Sequence, residues 1–240
     1  NYTLSGGTHQ LTVTQRPLNS SGSKSYDANT DALANAITLS NLAGGETLVH
    51  SGTASTSSAN AGSYTINNLA GIGISNGTGT ASNYTLTGGT HSFTINRRVV
   101  SLSGGSRQYN GSATAIAADL PTINNLVGSE TLTLSGNGVV ENANVGDNKP
   151  LTNLSGLTLQ NGSNGGLAAN YTLSGGSSII SITPRILSLD GSRVYDGTTN
   201  SNSSDLTITN LVGSETLSLS GFGTVTSGNI GINKPMSLNT

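Results

Sequence analysis

Asn210-Leu211-Val212-Gly213-Ser214-Glu215-Thr216-Leu217 is the stretch from which the fold is read, because its pattern, Asn-Leu-x-Gly-x-Glu-Thr-Leu, returns at Asn41 and at Asn125. Three further landmarks keep step with it. Asn-Tyr-Thr-Leu starts at Asn1, Asn83 and Asn170, at spacings of 82 and 87 residues. A turn of the Tyr-Asp-Gly kind occurs as Tyr26-Asp27-Ala28, Tyr109-Asn110-Gly111 and Tyr195-Asp196-Gly197. An Asn-x-Gly step ends at Gly62, Gly146 and Gly231, and its Asn lies 14 residues after Glu46, Glu130 and Glu215 respectively. Constant order and near-constant gaps define tandem modules of about 85 residues.

The copies meet at Thr14-Gln15-Arg16-Pro17, Ile95-Asn96-Arg97-Arg98 and Ile182-Thr183-Pro184-Arg185, each a polar step between apolar runs. These steps set the expected domain organisation. Residues 1–15 are the C-terminal strands of a preceding repeat, 16–97 and 98–184 are whole modules, and 185–240 is a truncated one, so the chain reads as a piece of a longer array. Pro17 and Pro184 restrict the backbone at two of the junctions.

Within a module the apolar residues alternate with polar ones, as in Leu206-Thr207-Ile208, Thr216-Leu217-Ser218-Leu219 and Ile180-Ser181-Ile182, between clusters of Gly, Asn and Ser. Period-two alternation bounded by turn residues is the pattern of half-buried antiparallel strands. Six or seven such strands fit one small sandwich. The expected fold is all-β: small antiparallel β-sandwich modules, Ig-like or similar, in an elongated array. A β-solenoid is the alternative, disfavoured because solenoid coils recur at roughly 20 to 30 residues. The Ala-rich runs 32–36 and 113–118 require no helix, since the third copy has Ser201-Asn202-Ser203-Ser204 there.

Composition excludes several classes of function. Only 8% of residues are charged and 4% aromatic, Gly accounts for 33 of 240, and the formal net charge is -2. That balance offers no electrostatic footprint for nucleic acid or anionic membrane. There is no Cys, hence no disulfide framework and no thiolate metal site. No run approaches the roughly 20 apolar residues of a membrane span.

Candidate chemistry is weighed copy against copy. Asp27 and Asp196 resemble acid–base groups or calcium ligands, but the middle copy has Asn110, which cannot ionise and still forms an Asx-turn. Gly111 and Gly197 supply a positive φ after it, and Ala28 argues that glycine is not essential. Glu46, Glu130 and Glu215 are the only glutamates in register. One carboxylate per module makes no glycosidase pair, so they read as turn-capping acids or as ion-pair partners of Lys149 and Lys234. His9 and His91 are equivalent, the third copy has Ser178 there, and the two histidines read as exposed strand-edge residues. The dispersed Asp residues do not assemble a calcium site. No catalytic residue, metal or cofactor is expected, and the chain reads as a non-enzyme.

Taken together, Tyr195-Asp196-Gly197-Thr198-Thr199, the Asn210–Leu217 stretch, Asn229-Ile230-Gly231 and Asn170-Tyr171-Thr172-Leu173 with Ile182-Thr183-Pro184 resemble the YDG and MBG-type repeats of large bacterial haemagglutinin-like adhesins. The first copy, with Tyr26-Asp27-Ala28 and Asn60-Ala61-Gly62-Ser63-Tyr64, is nearer the MBG kind. The resemblance implies filamentous, two-partner-secreted proteins at the surface of a Gram-negative bacterium, exported through an outer-membrane partner acting outside this segment. It implies structural stalk or spacer repeats for cell adhesion or biofilm cohesion, with other copies of the filament or surface and matrix polysaccharide as partners. The alternative is a carbohydrate-binding array, for which Tyr26, Tyr109 and Tyr195 are the candidate platforms if their rings are exposed.

Overall fold

The computed structural model describes residues 1–66 and 68–238. Among the described residues the first repeat has nine strands: β1 (Arg16–Pro17), β2 (Asn19–Ser25), β3 (Asp31–Leu33), β4 (Ile37–Ser40), β5 (Leu48–Ser55), β6 (Gly62–Thr65), β7 (Ile72–Asn76), β8 (Tyr84–Thr85) and β9 (His91–Asn96). They form a four-stranded sheet in the order β4-β2-β9-β6, a three-stranded sheet β3-β5-β7 and the short pair β1-β8. The chain is all-β, built of small sheets, and its helical turns are single 3-10 turns. Alternation works as the sequence requires. In β9 the side chains of Phe93 and Ile95 are buried at 1% exposure while Ser92 and Asn96 face out.

Most strand pairs are antiparallel, but β2 and β9 run parallel, Gly22 opposite Phe93 and Lys24 opposite Ile95. The pair β1-β8 is parallel as well. A hairpin forces its two strands to be antiparallel, whereas strands joined through a long crossover are free to be parallel. Here most of the repeat lies between β2 and β9, so the first two strands of the module meet its last two side by side in the same direction.

Two sets of glycines make the sheets possible. β5 pairs with β7 from Leu48 to Gly52 and with β3 from Thr53 to Ser55. Gly52 sits at this change of partner with φ +99, and a Cβ there would lie 2.0 Å from the Gly71 carbonyl oxygen. Its counterparts Gly136 and Gly221 have φ 86 and 89. The second set lies beneath a 3-10 turn, Ala34–Ala36, that recurs as Ala117–Asp119 and Ser203–Asp205. A Cβ on Gly22, Gly105 or Gly191 would stand 2.2, 1.6 or 2.0 Å from the last carbonyl oxygen of that turn. The turn therefore forms in the serine-containing third copy too, tied there by the Asp205 carboxylate accepting from the Asn202 amide at 3.0 Å.

The residues divide into two compact units, which cut across the sequence repeats. The first contains Asn1–Leu102, Thr122–Gly136 and Leu157–Ser177; the second contains Ser103–Pro121, Asn137–Gly156 and Ser178–Thr240. Within the first, Leu132 to Gly136 pairs antiparallel with Leu157–Asn161, and Arg98–Val99 pairs parallel with Tyr171–Thr172. Within the second, Ile179–Thr183 lies between Gly105–Gln108, parallel, and Gly146–Asn153, antiparallel. The third repeat adds Leu189–Gly191 with Leu206–Ile208, and the sheet Asn200–Asn202, Phe222–Val225, Met236–Leu238. Residues 1–15 form no strand. Their counterparts β8 and β9 take order from pairing with β1 and β2 of their own repeat, a pairing that residues 1–15 do not make among the described residues.

Candidate functional site, a joint between repeats

The Tyr-Asp-Gly turn is an Asx-turn in all three copies. Asp27, Asn110 and Asp196 each accept from the backbone amide two residues on, at 3.1, 3.0 and 2.9 Å. The following residue takes a left-handed φ every time: Ala28 64, Gly111 74, Gly197 76. Ala28 therefore removes the glycine and not the conformation, and bears the strain of a Cβ in that region. A basic residue three positions before the Asx staples the turn. Lys24 pairs with Asp27 at 2.8 Å, Arg107 reaches Asn110 and the Ser112 carbonyl, and Arg193 reaches Asp196 and the Thr198 carbonyl. For Asp27, burial alone would raise the carboxyl, but hydrogen bonds from Lys24 and the Asn29 amide outweigh it and hold it below its ordinary value. Asp196 is held down at about 2 by the Thr198 amide and the Arg193 guanidinium.

The tyrosine that opens the turn leaves its own repeat. Tyr26 of the first repeat donates to Oε1 of Glu130 in the second at 2.7 Å, while Tyr171 of the second donates to the other oxygen, Oε2, at 2.6 Å. The two rings meet edge to face, 5.4 Å between centroids with planes at 77°, and both are buried, 4% and 2% exposed. Burial, and then the hydrogen bond to the Glu130 carboxylate, push both phenols up to about 12. One carboxylate with two oxygens thus joins a tyrosine from each side.

Other landmarks complete the same joint. Asn170, wholly buried, donates through Nδ2 to Asn60 Oδ1 at 3.0 Å and accepts from the Ala61 amide at 2.9 Å. The Asn of Asn-Tyr-Thr-Leu in one repeat is therefore held by the Asn-x-Gly step of the repeat before it. Arg98, whose Nε and Nη2 grip the carbonyl and side-chain oxygens of Asn125 at 2.7 Å each, also extends Nη1 to the Tyr26 carbonyl at 3.4 Å. The same fork recurs as Arg16 on Asn41, and Arg185 holds the Asn210 carbonyl at 2.8 Å.

The joint repeats at the next boundary. Tyr109 of the second repeat donates to Oε1 of Glu215 in the third, and that hydrogen bond raises its phenol above the ordinary value. Gly111 packs under the same segment, since a Cβ there would lie 2.7 Å from Val212 Cγ1. In the first repeat Glu46 accepts from its own Tyr84, as Glu130 does from Tyr171, and Tyr84 is raised for the same reason.

These contacts correct several expectations. Lys149 and Lys234 do not pair with the glutamates: Lys149 donates to Asn142 Oδ1 at 2.6 Å, and Lys234 to the carbonyls of Ser227 and Asn229. Their stems lie over Gly146 and Gly231, and in the first repeat the Tyr64 phenol lies over Gly62 and donates to the Asn60 carbonyl at 2.7 Å. Tyr64 thus does the work of the lysine that the first copy lacks. His91 is not at a strand edge. It sits in β9, flanked by β2 and β6, its Nδ1 3.0 Å from Ser20 Oγ and its Nε2 2.8 Å from the Leu86 carbonyl oxygen. Ser178 is buried. Among the described residues no group of three or more His, Asp or Glu is placed to hold a metal ion. As sugar platforms, Tyr26 is closed off, Tyr109 is half-buried, and Tyr195 has an open ring at 60% exposure.

The arginine forks, the basic residue before each turn and the glycines under the 3-10 turn were all in register in the sequence. Aligning the copies column by column, beyond the four landmarks, exposes them.

Residues 8–92, 96–178 and 181–240 each match the family model described as the YDG domain. No curated protein and no solved structure matches the chain.

Proposed function

We propose, from the premise that the chain belongs to the YDG domain family, that it is the structural stalk or spacer of a secreted, cell-surface bacterial adhesin. In this reading it acts in cell adhesion or biofilm cohesion, at the surface of a Gram-negative cell and without enzymatic activity. The supporting observation is the joint. The residues that stand out most in the sequence, Tyr26, Glu130, Asn170 and Tyr171, or Tyr109 and Glu215, are occupied in fastening each repeat to the next. Side chains that bind neighbours within the chain suit a tandem array, in which stability is the sum of repeats and nearest-neighbour interfaces. A carbohydrate-binding array needs open aromatic faces in every copy, and Tyr26 offers none.

The test is adhesion of cells displaying the whole protein with repeats deleted in register, beside cells carrying Tyr195→Ala. The spacer reading expects reach, seen by electron microscopy, and adhesion to fall with the number of repeats removed, and Tyr195→Ala to be silent. Loss of adhesion in Tyr195→Ala with the fold intact would instead favour the sugar-binding reading.

A further inference from the structure

We infer that the first repeat closes an isopeptide bond between the side chains of Lys24 and Asn29, across its Tyr26-Asp27-Ala28 turn. The groups that such a bond needs already touch. Lys24 Nζ lies 2.5 Å from Asn29 Oδ1, and a C=O bond of about 1.23 Å then puts the amide carbon Cγ within about 3.7 Å of the amine. The Asp27 carboxylate bridges the pair: Oδ1 accepts from Lys24 Nζ at 2.8 Å, and Oδ2 accepts at 3.0 Å from Asn29 Nδ2, the nitrogen that leaves. The Asp31 amide donates to Asn29 Oδ1 at 2.9 Å, where negative charge gathers when the carbonyl is attacked. The lysine side chain is only 14% exposed, so its amine is held against this target.

The reaction is a transamidation in which nothing is oxidised or reduced. Asp27 Oδ1 takes a proton from the Lys24 ammonium, and the neutral amine adds to Asn29 Cγ, pushing the carbonyl π pair onto Oδ1. The bond from Cγ to Nδ2 then breaks as that pair returns. Nδ2 takes the proton carried by Asp27 and the second amine proton, and departs as ammonium. The products are a Lys24–Asn29 amide and an Asp27 carboxylate restored to its starting form. Since the ion pair is the favoured state, the neutral amine is scarce and closure is slow; one turnover per chain suffices, and escape of ammonia makes it permanent.

The other repeats show which residues the bond depends on. At the positions of Lys24, Asp27 and Asn29 the second has Arg107, Asn110 and Ser112, and the third has Arg193, Asp196 and Thr198. A guanidinium keeps its proton, and a hydroxyl side chain has no acyl carbon to attack. Those copies keep only the staple, from Arg107 to the Ser112 carbonyl and from Arg193 to the Thr198 carbonyl, as Lys24 donates to the Asn29 carbonyl at 2.9 Å. Lysine and asparagine thus occur together in one copy, the copy whose turn holds Ala28 instead of Gly at a left-handed φ of 64. A covalent tie across the turn keeps residue 28 in that strained conformation. Lys149 gives the contrast: its Nζ is 2.6 Å from Asn142 Oδ1, but among the described residues no carboxylate is hydrogen-bonded to either, and that pair stays open.

The test is the intact mass of the whole folded chain, followed by tryptic peptide mapping. The unaltered chain is expected to be lighter than its sequence by one ammonia, to resist trypsin after Lys24, and to yield a peptide in which Lys24 and Asn29 are joined. Freshly made chain should close faster at alkaline than at neutral pH. Lys24→Arg, Asp27→Asn and Asn29→Ser each install the residue that the second repeat already carries, so the turn and the circular dichroism should persist while the full mass returns. Full mass in the unaltered folded chain overturns the inference. So does an ammonia loss that persists in Lys24→Arg, which marks a succinimide at an Asn-Gly step instead, and closure unimpaired in Asp27→Asn refutes the part given to the carboxylate. None of these outcomes touches the stalk reading, since repeats space with or without the bond.

Discussion

Replacing Glu130 by Ala removes one acceptor from two phenols that belong to different repeats. Each hydrogen bond to a charged acceptor contributes about 1.5–3 kcal/mol, and the lower half of that range suits a half-exposed carboxylate. Glu130→Ala is therefore expected to cost roughly 3–4 kcal/mol, because the Tyr26 and Tyr171 hydroxyls, on buried rings, lose their partner together. Tyr26→Phe removes only the half of the joint between repeats and should cost about 1.5 kcal/mol. In a double-mutant cycle the two changes should fall short of additivity by a coupling of about 1.5 kcal/mol, and Tyr171→Phe should show a similar coupling within the repeat. Urea unfolding followed by tyrosine fluorescence reads this directly, as the chain has no Trp. Glu130→Gln, which keeps an acceptor without the charge, should recover about half the loss. Additivity of Tyr26→Phe and Glu130→Ala within about 0.5 kcal/mol would mean that the repeats are not fastened through this carboxylate.

Three further outcomes follow from the geometry. With Tyr26 and Tyr171 raised from 10.0 to about 12, their contribution is complete below pH 10 and lost as the pH climbs through 12; tyrosinate absorbance should show late-titrating groups, two of which Glu130→Gln brings back towards 10. Gly105→Ala, whose Cβ would lie 1.6 Å from the Asp119 carbonyl oxygen, should cost more than about 3 kcal/mol, whereas Gly73→Ala, with nothing nearer than 3.9 Å, should stay within about 0.5 kcal/mol; equal melting midpoints would refute the close approach. Asp196→Asn should leave the melting midpoint unchanged at neutral pH, because Asn110 makes the same turn, while Asp196→Ala should lower it. The carboxylate's share is present above its ordinary value of 3.8 and lost as the pH falls through about 2, so the unmodified chain and Asp196→Asn should part only in that acid window.

The repeat, its strands and the all-β class were legible because period-two alternation and turn residues are local signals. The joint was not, for a physical reason: Tyr26 and Glu130 are 104 residues apart, and nothing near either names the other. The glutamate next to a turn looked like a turn acid, and Lys149 looked like its partner, because only neighbours in sequence were in view. Parallel pairing of β2 with β9 was hidden in the same way, since no hairpin joins them. Ala28 shows the converse limit. A missing glycine reads as a relaxed turn, yet the backbone keeps φ 64 there, held by the Asx-turn and by Lys24 on either side. His91 carries the polar alternation of an edge strand, but its hydrogen bonds to Ser20 and Leu86 let it lie in the middle of a sheet.

The joint draws Tyr26 and Asn60 from one copy and Glu130, Asn170 and Tyr171 from the next, and all three copies carry the turn tyrosine and the glutamate. An in-register crossover between two copies of the gene segment, wherever it falls within the module, therefore yields a shorter or longer protein in which each internal glutamate still meets a tyrosine from the copy before it. Length becomes a quantity that recombination adjusts in whole steps without having to invent a single new contact.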